Sequence, residues 1–183
     1  MEHMLALYPR VPPKVVVDVT YGKGRMWKGV SIQPFGFDLD PARVKHGIAN
    51  YCALPLKDKS VDVLVFDPPH LVKTGSPGCI KGLYSEYTSD CDPFLPFMRE
   101  ARRVLIPEGI VLVKICDFVT SARYHWRIVD LINAVRQAGM CPCDLIIKTR
   151  KAGVIEHPFW KTQRHARKRH SYWIIVRNSA KCS

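Results

Sequence analysis

The apolar run Val61-Asp62-Val63-Leu64-Val65-Phe66 stops on Asp67-Pro68-Pro69-His70. Its length and β-branched content predict a buried strand in a sheet covered on both faces. Two consecutive prolines fix φ and remove two N–H donors, so the ladder cannot continue past Asp67. The strand thereby delivers a carboxylate and a stiff backbone to the carboxyl edge of the sheet. In open α/β sheets that edge is where ligands bind. Asp67 and the Pro68 carbonyl form a rigid pair of acceptors there, suited to holding an NH₂ group by both hydrogens.

Further strand signals fall at 15–19, 32–37, 50–53 (weak), 110–115, 144–149 and 171–177. Helical signals separate most of them. Pro41 opens one that continues over 42–49. Asp92 and Pro93 read as N-cap and first-turn residue of another. There Phe94, Phe97, Met98, Ala101, Val104 and Leu105 recur at helical spacing until Pro107 and Gly109. A third, 123–138, carries Ile128, Leu131, Ile132 and Val135 on one side and stops at Gly139. Alternating strands and helices predict an α/β fold with a mostly parallel sheet and helices on both faces. The last two strands lack a helix between them and are expected to pair antiparallel at one edge, giving seven strands in all.

A length of 183 residues fits one domain, 1–183. Residues 71–91 are predicted to be a long loop over the active edge. The formal charge of +12 calls for an anionic partner, most naturally nucleic acid. That charge is concentrated late: between Lys148 and Lys181 there are ten Lys or Arg and one acid, Glu156. The segment 148–170, densest at Lys161, Arg164, Arg167, Lys168 and Arg169 with Phe159 and Trp160 interleaved, is the expected phosphate-binding stretch. Seven cysteines without a scaffold spacing predict free thiols in a reducing cytoplasm. No signal peptide is expected to lead the chain, and no apolar run in it is long enough to span a membrane. Cys141-Pro142-Cys143, with His157, His165 or His170, lacks the spacing of a zinc knuckle, so no metal is expected.

Two more constellations carry chemistry. Asp18-Val19-Thr20-Tyr21-Gly22-Lys23-Gly24 feeds a strand into a Gly-x-Gly turn, where a ligand can approach the backbone closely. Asp38 ends the next strand, about 20 residues on, where a carboxylate takes both ribose hydroxyls of an adenosine cofactor. Asp40 beside it reads as a helix cap.

With Asp67-Pro68-Pro69-His70, this arrangement resembles the class I S-adenosylmethionine-dependent methyltransferases. More narrowly it resembles the amino-methyltransferases with Asp-Pro-Pro-aromatic, which methylate exocyclic amines of adenine, cytosine or guanine. The likeness runs from Val15 to Arg177. It implies a Rossmann-like fold and S-adenosylmethionine as cofactor. Cofactor contacts would come from Asp18, Thr20, Tyr21, Gly22, Gly24, Asp38, Asn50 and Tyr51, and catalysis from Asp67, Pro68, Pro69 and His70. The cofactor motifs precede Asp-Pro-Pro, as in one permuted group of DNA amino-methyltransferases and in RNA guanine-amine methyltransferases. The tail from Arg164 to Ile174 resembles the basic run and final strand of the DNA enzymes.

Two positions depart from the family. Asn50 replaces the usual Asp at the cofactor adenine, and His70 stands where Tyr, Phe or Trp is usual. His70 is planar enough to stack on a base, and its imidazole can also hydrogen-bond. The expected activity is methyl transfer to adenine N6 or cytosine N4 of DNA. The alternatives are an RNA guanine-N2 or adenine-N6 methyltransferase, or an inactive nucleic-acid-binding subunit. A chain this short leaves sequence specificity low or supplied by a dimer mate or partner subunit. A cytoplasmic setting in a bacterium or its phage is expected.

Overall fold

The computed structural model describes residues 1–43, 45–68, 93–120, 123–149 and 170–181. The predicted strand over 61–66 is β4 (Val61–Phe66), and it runs parallel to β1 (Val16–Asp18). Because strand side chains alternate, β4 feeds two cores. Leu64 and Phe66 join Val17 and Val111 on one face, whereas Val63 and Val65 join Val16 and Leu112 on the other. All four β4 residues are fully buried, as a sheet covered on both faces requires.

Outward from β1 lie β2 (Phe35–Asp38) and β3 (Gly47–Ile48), both parallel. On the other side β5 (Leu105–Ile115) pairs parallel with β4. A two-stranded ribbon, β6 (Phe118–Thr120) and β7 (Arg123–His125), follows β5. The chain then forms β8 (Cys141–Thr149) and β9 (His170–Arg177). The seven-stranded order is β3-β2-β1-β4-β5-β9-β8, with β9 antiparallel to both neighbours. The predicted architecture is therefore present, with β9 inserted between β5 and the edge strand β8.

One face is covered by α2 (Phe94–Val104) and α3 (Arg127–Gln137). In α2 the predicted apolar positions Phe94, Phe97, Met98, Ala101 and Val104 are all buried. The Phe97 ring stacks on Phe66 at 3.9 Å between centroids. The other face is covered by Trp27 and by α1 (Glu2–Leu7), which places Met4 and Leu5 on the sheet. That short helix has no periodicity legible in the sequence.

Four expectations are corrected. The third strand is at Gly47–Ile48, not 50–53, because Asn50 makes a turn: its Oδ1 accepts the Cys52 N–H at 2.9 Å and its carbonyl accepts the Ala53 N–H at 2.9 Å. The helix expected over 42–49 is one 3₁₀ turn, Pro41–Arg43. His46 then draws the chain back to β2, donating its N–H to the Gly36 carbonyl and accepting the Gly36 N–H on Nδ1. The helix expected from 123 begins at Arg127, since 123–125 form β7. Among the described cysteines, Cys52 and Cys143 carry free thiols but Cys141 is disulfide-bonded, against the expectation of free thiols throughout. Among the described residues no helix is long and apolar enough to cross a membrane.

Candidate active site

Parallel strands β1, β2, β4 and β5 bring Asp18, Asp38, Asp67 and Ile115 to one edge of the sheet. There the glycine turn and the Asp-Pro-Pro turn meet directly. The Asp67 N–H donates to Thr20 Oγ1 at 2.7 Å. Thr20 in turn donates its own N–H to Asp18 Oδ1 at 2.9 Å. The other oxygen of Asp18 accepts the Trp27 indole N–H at 2.6 Å. Asp18 is thus the buried lock of the turn, both oxygens engaged inside the protein. Burial raises its carboxyl to about 6, and the nearby Asp67 charge adds to the rise against the pull of the Trp27 and Thr20 hydrogen bonds.

Beyond the lock the backbone turns left-handed at Gly22 (φ 56°) and Gly24 (φ 62°). The Gly22 N–H donates to Asp38 Oδ2 at 2.9 Å, and Asp38 Oδ1 accepts the Asp40 N–H at 2.9 Å. The predicted carboxylate therefore does reach the glycine turn. A Cβ built on Gly22 would meet only the Thr20 carbonyl, at 3.9 Å, so the space over this residue is open. Gly24 and Gly36 are different. A Cβ at either would lie about 2.4–2.5 Å from the Tyr21 side chain, so both glycines make room for that ring.

The other expected cofactor residues divide. Asn50 is exposed and its side-chain oxygen is used in its own turn. Tyr51 is 4% exposed, its ring edge-on to Phe66 at 5.0 Å and Phe97 at 6.0 Å, so it belongs to the core. Pro68 is buried beside Asp67. Pro69, His70, the loop 71–91 and the basic residues Lys161, Arg164, Arg167, Lys168 and Arg169 lie outside the described residues.

One central residue was missed from sequence. Lys114, on β5, places its Nζ 2.7 Å from Asp67 Oδ2, with both side chains largely shielded from water (23% and 21% exposed). A signal existed: Lys114 interrupts the apolar run 110–115 near its carboxyl end, and a lysine in a buried strand calls for a partner. Asp67 is thus fixed from two sides. Thr20 holds its backbone and Lys114 holds one carboxylate oxygen.

The sheet order, the antiparallel β9 and the loaded carboxyl edge together define the fold of the S-adenosylmethionine-dependent methyltransferases. An S-adenosylmethionine-dependent methyltransferase from Methanosarcina mazei superposes with a TM-score of 0.62 at 12% identity, covering 99% of both chains. A candidate methyltransferase in complex with the Haloferax volcanii Trm112 methyltransferase activator matches with a TM-score of 0.64 at 17% identity, over 97% of this chain and 88% of that one. A candidate methyltransferase from Bacillus halodurans gives 0.61 at 12% identity, over 97% and 96%. At these identities the likeness is one of fold. No protein-family model and no curated protein matches the chain.

Proposed function

We propose that this protein transfers a methyl group from S-adenosylmethionine to the exocyclic amine of a nucleobase, adenine N6 or cytosine N4 in DNA. The observation that carries this reading is the carboxylate of Asp67, held at the sheet edge between the glycine turn and Lys114. Gly22 and Asp38 fit the cofactor. The open space over Gly22 admits a ligand against the backbone, and Asp38 stands at the end of β2 as an acceptor for paired hydroxyls. When bound, S-adenosylmethionine supplies a sulfonium-activated methyl group.

The chain's own part is alignment. The lone pair of an aromatic amine is delocalised into its ring, so the nitrogen attacks only when its hydrogens are held and its geometry becomes pyramidal. Lys114 holds Oδ2 of Asp67 and so fixes the orientation of the carboxylate that accepts from the amine. The Pro68 carbonyl takes the second hydrogen by resemblance to the family. The carboxylate also stabilises positive charge as it develops on nitrogen. Most of the rate gain then comes from orientation. The net charge of +12 supports a polyanionic substrate.

The test is transfer of tritiated methyl groups to undermethylated DNA and to unmodified RNA. Label is expected in DNA. Label in RNA alone would replace DNA by RNA as substrate, and label in neither would remove the nucleic-acid reading. Asp67→Ala should abolish transfer while changing S-adenosylmethionine binding by no more than roughly tenfold, read by calorimetry. Normal turnover in that variant would take Asp67 out of the mechanism.

A further inference from the structure

The ribbon β6–β7 lies at the same edge of the sheet. Lys114 touches Asp67, and Asp117, where the ribbon begins, is three residues further on. Three residues of chain span at most about 11 Å. Asp117 is 2% exposed. It accepts hydrogen bonds from Tyr124 Oη at 3.0 Å, the Ile128 N–H at 3.1 Å and Tyr172 Oη at 3.4 Å. A buried carboxylate with these donors fixes the ribbon to the start of α3 and to β9. Burial, reinforced by the Asp117 charge, pushes the Tyr124 phenol up to about 12, so it remains a donor at neutral pH.

What this anchor presents outward is aromatic. The Tyr124 and Trp126 rings lie 4.4 Å apart, and Trp126 is 59% exposed. The other described tryptophans, Trp27 and Trp173, are buried. A large ring left in water costs hydrophobic free energy, yet Trp126 is held in place by structure on both sides. Arg123, at the start of β7 three residues before it, is exposed, and Arg127, the next residue, is partly so. An exposed, pre-positioned ring with an exposed arginine on the same ribbon is the composition that binds an unstacked base and its phosphate.

We propose that Trp126, backed by Tyr124 and anchored through Asp117, is a stacking platform for an unpaired base flanking the target nucleotide, with Arg123 on the adjoining phosphate. This deepens the nucleic-acid reading above and rests on it. The same chemistry serves single-stranded DNA and single-stranded RNA.

The test is fluorescence anisotropy of the full chain with fluorescein-labelled single-stranded DNA and RNA 20-mers of one mixed sequence, over a range of salt. Trp126→Ala is expected to weaken binding by about tenfold or more, with an unchanged salt slope and an unchanged melting temperature. Trp126→Phe should recover most of the loss. Arg123→Ala should instead lower the salt slope by about 0.7. The arm that loses affinity names the nucleic acid. Wild-type affinity in Trp126→Ala would overturn the platform and leave the activity standing. Failure of the wild-type protein to bind either oligonucleotide would overturn both.

Discussion

Asp67 and Lys114 face each other at 2.7 Å in surroundings mostly closed to water, where a charge pair interacts more strongly than at a surface. Removing one partner there is costly because the other is left unpaired. Asp67 faces Lys114 from β5 and the charge of Asp18 from β1. Losing the ammonium removes a favourable charge at 2.7 Å and leaves the Asp18 charge acting on this carboxylate. Lys114→Met is therefore expected to lower kcat by about 10- to 100-fold with little change in cofactor affinity, and to shift the acidic limb of the kcat profile to higher pH. Lys114→Arg should restore part of kcat and return the limb. A Lys114→Met enzyme with a wild-type pH profile would show that the pair has only a structural role. Asp67 was legible from the Asp-Pro-Pro run, and Lys114 was visible as an oddity in an apolar strand. Their pairing was not, since 47 residues separate them and only the register of β4 against β5 makes them neighbours.

Among the elements, the glycine turn and the strand beside it use glycine for different reasons. Gly22 and Gly24 do adopt left-handed backbone, as a tight turn requires. Gly36 sits in β2 with ordinary strand geometry, and its lack of a side chain is explained by the Tyr21 ring alone. Gly36→Ala should thus destabilise the protein by about 1–3 kcal/mol through overpacking. In a Tyr21→Ala background most of that cost should disappear, giving a coupling measurable by urea denaturation of the four members of the cycle. Additive effects would mean that the ring does not set the requirement for glycine. Periodicity located β4, α2 and β9 closely because burial on a fixed face dictates their apolar spacing. It failed at 42–53 because short polar contacts decide that segment: the Asn50 turn, the His46 bonds to Gly36, and Arg103, which reaches from α2 to the Leu54 and Leu56 carbonyls.

For the molecule as a whole, the buried Asp18 makes stability depend on pH in an unusual direction. Its folded carboxyl titrates near 6, against an ordinary value of 3.8. The folded state therefore holds this proton more tightly than the unfolded chain. Its contribution favours folding at low pH and is lost as pH rises from about 4 through about 6, a span worth ~3 kcal/mol. Denaturant titrations at several pH values should show that slope in the wild type relative to Asp18→Asn, in which the group cannot titrate. Parallel curves for the two proteins would show that Asp18 is ionised throughout. At this scale the sequence alone determined the α/β class, the parallel sheet with its antiparallel end, and the edge at which the carboxylates gather. Those features follow from local periodicity and from proline and glycine stereochemistry, which act within a few residues. Tertiary structure alone decided that Lys114 grips Asp67, that Asp18 turns inward to Trp27, and that Asp117 ties Tyr124 to the start of α3. Each is a contact between side chains set by strand register and burial, and such contacts exist only once the sheet has assembled.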